Sequence, residues 1–128
     1  MKFLLDTHLL LCAGEDIERV PKAAREFMAD LGNELHYSVV SLWEVAIKQR
    51  LGREDFRYDA RLLRRNLRDN RFQEMPVTGE HAVAVQGLPP LHRDPFDRLL
   101  IAQATAEGIM FMTCDPAIAR YPGPILKV

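Results

Sequence analysis

The sequence predicts an α/β fold with a central, mainly parallel sheet covered on both faces by helices. Three observations carry that prediction. Phe3-Leu4-Leu5 and Ile109-Met110-Phe111-Met112-Thr113 are short continuous apolar runs, the pattern of strands buried on both sides. Segments of helical period separate most of the strand-like runs, so most strand-to-strand connections cross over a face of the sheet. Each of the two apolar runs ends in a carboxylate, Asp6 and Asp115. In open α/β sheets that edge is where ligands bind.

In chain order, the strand at 3–5 leads through Asp6-Thr7 into a short helix over 7–13, ending near Gly14. A second helix starts at Val20-Pro21, with the proline in its first turn. Val20, Ala23, Ala24, Phe27, Met28 and Leu31 recur at helical spacing, and Gly32-Asn33 ends it. Leu35–Val39 reads as a strand. Ser41 and Glu44 fit the S-x-x-E capping box of a helix running to Leu51-Gly52. Residues 59–69 form a helix with Leu62, Leu63 and Leu67 inward and Arg61, Arg64, Arg65 and Arg68 mostly outward. A short strand follows over 72–77, and then a helix capped by Thr78. Gly87-Leu88-Pro89-Pro90 is a turn-rich connection. Asp94-Pro95 opens a well-buried helix that Gly108 ends. After the strand at 109–113, a last strand at 125–128 follows Tyr121-Pro122-Gly123-Pro124.

The 128 residues fit one domain spanning 1–128. Cys12 and Cys114 have no metal-ligand spacing and read as reduced thiols of a cytoplasmic protein. No apolar run approaches a membrane span, and the N-terminus lacks the pattern of a secretion signal. The net charge of −1 conceals a split: residues 48–71 carry +5 and the remainder −6. Such a division suits a polyanion held by arginines near a cation-binding site; it also suits a solvated helix face.

Four acids stand at matching places: Asp6 after the first strand, Glu44 on the helix after the second, Asp97 near the start of a buried helix, and Asp115 after a late strand. Asp94, three residues before Asp97, is a fifth candidate. Gathered carboxylates repel one another, and a divalent cation relieves the repulsion. Oxygen donors point to Mg²⁺ or Mn²⁺. Each acid also has a plain reading as a helix cap, and for Asp6 and Glu44 position alone does not separate the two roles.

The stretches FLLDTHLLL (3–11), SLWEVAIK (41–48), HRDPFDRLLIAQA (92–104) and MTCD (112–115) resemble the four acidic motifs of PIN-domain proteins, in order and in spacing. They resemble most the VapC toxins of bacterial VapBC toxin–antitoxin systems. The resemblance implies a three-layer α/β/α fold and a Mg²⁺- or Mn²⁺-dependent endoribonuclease. It makes Asp6, Glu44, Asp97 and Asp115 the catalytic, metal-holding acids, with Asp94 as a further ligand. It gives Thr7 and Thr113 the task of orienting an acid or a water. It also implies an RNA substrate, a VapB-like antitoxin and a homodimer. Cys12 and Cys114 depart from the residues usual at those positions, without removing an acid.

Trp43 reads as a core or interface residue before an RNA-stacking one. His8 and His92 read as structural, and Arg93 and Arg98 as groups that neutralise the acids or touch RNA. The alternative function is a PIN-like module that binds RNA or a protein without cutting. A haloacid-type phosphatase is disfavoured, because the first motif lacks Asp-x-Asp.

Overall fold

The computed structural model describes residues 1–52 and 57–128; Arg53, Glu54 and Asp55 of the basic segment lie outside them. Strands β1 (Lys2–Leu5), β2 (Glu34–Ser38), β3 (Gln73–Met75), β4 (Met110–Thr113) and β5 (Ile125–Lys127) form one sheet in the order β3-β2-β1-β4-β5. Every pairing is parallel. From β1 the chain builds outward to β2 and β3, then returns to lay β4 and β5 on the other side. The strand order therefore reverses between β1 and β4, and that is where a crevice opens at the carboxyl ends of the strands.

Alternation along β1 divides the core. Phe3 and Leu5 pack with Leu9, Leu10, Leu63 and Leu67, from α1 (Thr7–Glu15) and α4 (Ala60–Asp69), and with Ala24 of α2 (Lys22–Ala29). Leu4 packs on the opposite face with Leu100 and Ile101 of α6 (Pro95–Glu107) and Ile118 of α7 (Pro116–Ala119). Both faces are thus covered, the three-layer arrangement expected. Helix α3 (Val39–Arg50) bridges the two cores, with Val45 in one and Val40 in the other. The short α5 (Gly79–Ala84) lies against α6. Gly108 ends α6 at φ +67°, a left-handed cap that glycine takes without strain.

Several elements differ from the sequence reading. Helix α3 starts three residues early because Ser38, not Ser41, is its cap: its hydroxyl accepts from the Val40 amide at 3.0 Å. Glu44 is therefore no capping-box residue. The capping box of this chain lies on α5, between Thr78 and His81. Leu31 and Leu62 face solvent rather than the core, since α2 stops at Ala29 and α4 turns Leu63 and Leu67 inward. Helix α7, between the last two strands, is not among the elements the sequence predicts, although Asp115-Pro116 opens it as Asp94-Pro95 opens α6.

Candidate functional site

Asp6 continues β1 beyond its last residue, donating its amide to the Met112 carbonyl at 3.0 Å. That bond fixes it beside the end of β4. Its Oδ2 accepts from the Thr113 hydroxyl at 2.6 Å, and its Oδ1 from the His8 amide at 3.4 Å. Thr113 Oγ1 also accepts from the Asp115 amide at 3.1 Å, so one buried hydroxyl ties the two strand-end acids together. Asp115 in turn caps α7 through its Oδ1. Thr7, the other hydroxyl singled out, pairs instead with Ser41 Oγ at 2.7 Å and locks α1 to α3.

Glu44 is 4% exposed and projects from the second turn of α3. Lys48, one turn on, donates to its Oε2 at 2.6 Å. Its Oε1 is buried and has no hydrogen-bond partner among the described residues. Asp94 caps α6, its Oδ1 accepting from the Phe96 and Asp97 amides. Asp97 Oδ2 lies 2.8 Å from His92 Nε2. Asp6, Glu44, Asp94, Asp97 and Asp115 line one open cavity of about 350 Å³, with His8, Lys48 and Cys114 on its walls. All five acids found in the sequence come together, and Asp6, Asp94 and Asp115 are helix caps as well.

The electrostatics follow from this crowding. Burial pushes the Asp97 carboxyl up to about 7, aided by the charges of Asp6, Asp94 and Glu44 and opposed by the His92 hydrogen bond. Burial raises Asp6 too, against the Thr113 hydrogen bond and with the help of Glu44. Burial works against the Lys48 charge, but the hydrogen bond and charge of Glu44, with Asp94 and Asp97 behind them, hold its ammonium above the ordinary range. Burial and the neighbouring Asp6 raise the Cys114 thiol.

A stability consequence is open to measurement. Between pH 4 and 7 the folded chain holds a proton on Asp97 that the unfolded chain has released, so stability falls as pH rises through that window. The EDTA-treated protein is expected to be more stable at pH 5.5 than at 7.5 by on the order of 1–3 kcal/mol. Thermal unfolding at the two pH values checks this, and a higher Tm at pH 7.5 would contradict it.

Sequence reasoning missed two partners of the acids. Lys48 was legible, since Glu44 and Lys48 have the helical i, i+4 spacing. The His92–Asp97 contact depends on how the loop before α6 folds back, which spacing alone does not reveal. Arg98 forms no ion pair with the acids among the described residues: it donates to the carbonyls of Val85, Leu88 and Pro89 and to the Tyr121 hydroxyl. Trp43 is not a core residue. It is 59% exposed and sets its ring edgewise on Phe96, centroids 5.2 Å apart.

A family model described as PIN domain matches residues 3–124. Among solved structures, the fold is similar to that of VapBC2 from Rickettsia felis bound to a promoter DNA fragment, with TM-score 0.71 and 15% identity over 100% of this chain and 99% of that one. DNA-bound VapBC from Salmonella typhimurium gives 0.64 and 20%, covering 99% and 98%. VapBC-1 from nontypeable Haemophilus influenzae gives 0.63 and 16%, with the same coverage. No curated protein matches the sequence.

Proposed function

Because the chain belongs to the PIN-domain family, we propose that it is a divalent-cation-dependent endoribonuclease, the toxin of a VapBC-type toxin–antitoxin pair. The observation that carries this reading is the buried, unpartnered Oε1 of Glu44 in a cavity shared with four other carboxylates. Leaving such an oxygen without a partner costs about 1–3 kcal/mol, and a cation in the cavity would remove that cost. The oxygen-rich donor set fits Mg²⁺ or Mn²⁺.

In this reading Asp6, Glu44, Asp97 and Asp115 hold the ion, with Asp94 offering the oxygen that its cap leaves free. When bound, a divalent ion supplies charge neutralisation at the phosphodiester and lowers the pKa of water. Thr113 keeps Asp6 and Asp115 in fixed relation, so the two acids meet the ion without rearrangement. Lys48 holds Glu44 in place and stands on the cavity wall with a positive charge for a phosphate oxygen. Arg61, Arg65 and Arg68, exposed on α4, suit the RNA backbone at a distance from the reacting bond.

A VapB-like antitoxin and a second copy of the chain are the proposed protein partners. The similar solved structures are VapBC complexes, and that supports the first of these. The chain would act in the cytoplasm. Among the described residues no helix is long and apolar enough to cross a membrane. The rival, a binding module that does not cut, gains nothing from five carboxylates facing a polyanion.

Purified chain, freed of any bound partner, is expected to cut a mixed RNA pool with Mg²⁺ or Mn²⁺. EDTA should stop the reaction and added metal restore it. RNA binding with no cutting under either metal would put the binding module ahead.

A further inference from the structure

Resting on the reading of the acidic cavity as a cation site, we propose that His92 is itself a ligand, giving an imidazole nitrogen beside Asp94 and Asp97. The site would thereby favour a first-row transition ion over Mg²⁺. Ligand atoms of His92, Asp94 and Asp97 all lie within 4.8 Å of one another, close enough to share one ion. His92 Nε2 and Asp97 Oδ2 are 2.8 Å apart, a contact that a proton bridges in the metal-free chain and a cation can bridge in its place.

The backbone at His92 is fixed, while its ring is not otherwise engaged. Its amide donates to the Tyr121 hydroxyl at 2.8 Å, and that hydroxyl reaches back to its carbonyl at 3.3 Å. Arg98 fastens Tyr121 and Pro89 to the same point at 2.9 Å each. Among the described residues the imidazole hydrogen-bonds to Asp97 alone. The ring is thus delivered by a braced loop to Asp97, which lines the cavity, and among the described residues it has no structural partner besides that candidate ligand. The unpartnered Glu44 Oε1 in the same cavity points independently to a bound ion. Mg²⁺ takes oxygen donors and dehydrates reluctantly, whereas imidazole nitrogen suits the later first-row ions. One nitrogen among carboxylates therefore shifts preference away from Mg²⁺ toward the transition ions, least for Mn²⁺ and more for a later ion such as Co²⁺.

Mn²⁺ serves as the probe on the full, EDTA-stripped chain. Pulsed EPR is expected to show imidazole ¹⁴N coupling to bound Mn²⁺. That coupling should vanish in His92→Gln and persist in His8→Gln, His8 being the histidine that lines the cavity wall. Calorimetry should show the Co²⁺ over Mg²⁺ preference falling by about tenfold or more in His92→Gln. The Tyr121 contacts to the backbone survive that substitution, and a thermal melt verifies the fold. Bound Mn²⁺ without imidazole coupling, or coupling that persists in His92→Gln, overturns the inference and leaves the cation site standing. A spectrum of free Mn²⁺ only, with none bound, overturns both.

Discussion

Asp97→Asn is expected to lower metal-dependent RNA cleavage by about a thousandfold or more, while making the metal-free protein more stable at neutral pH. The two effects have one cause. Asp97 is buried among Asp6, Asp94 and Glu44, and its charge is costly enough to raise its carboxyl to about 7. The amide keeps an acceptor for His92 and discards the charge, so EDTA-treated variant should gain about 1–2 kcal/mol at pH 7.5. The same lost charge is what a cation in the cavity needs. Single-turnover cleavage and thermal unfolding of both proteins test the pair of effects. Unchanged cleavage would remove Asp97 from the site. A large loss of stability would show that its carboxylate serves the fold.

Arg98→Ala is expected to destabilise the protein by about 3 kcal/mol and to reduce cleavage as well. The guanidinium satisfies three carbonyls of the 85–89 segment and the Tyr121 hydroxyl. Without it these acceptors lose a charged donor, and the loop that sets His92 against Asp97 is released. Arg98→Lys should recover little, since a single ammonium cannot match a planar fork with acceptors on several sides. Tyr121→Phe, which removes one node, should cost about 1–2 kcal/mol. Denaturant unfolding ranks the three. Equal stability of wild type and Arg98→Ala would mean that the loop is held by its apolar contacts instead.

The parallel sheet was legible because β1 and β4 are short apolar runs closed by acids, and no helix reads that way. Asp6, Asp94, Asp97 and Asp115 were legible for the same reason: each follows a strand or stands in the opening of a helix, so its place at the sheet edge comes from the backbone path, whereas Glu44 reaches it from the second turn of α3. The start of α3 was not. Ser38 and Ser41 are equally good caps, and the choice falls to tertiary contacts, Ser38 with Gln103 at 2.5 Å and Ser41 with Thr7 at 2.7 Å. Valines at 39 and 40 added a strand-like signal to what is the first turn of the helix. Arg98 was misread because its charge beside Asp97 suggested an ion pair, while three loop carbonyls claim it.

Three of the cavity acids, Asp6, Asp94 and Asp115, spend one oxygen on a helix N-terminus. Asparagine holds a cap about as well as aspartate. Folding and charge are therefore written on the same residues but are separable: an Asp-to-Asn change keeps the architecture and removes part of the negative charge that would attract a cation. Copies altered in this way would keep the outer surface of the chain unchanged. They would compete with unchanged copies for any molecule that binds that surface, without carrying the full charge of the cavity.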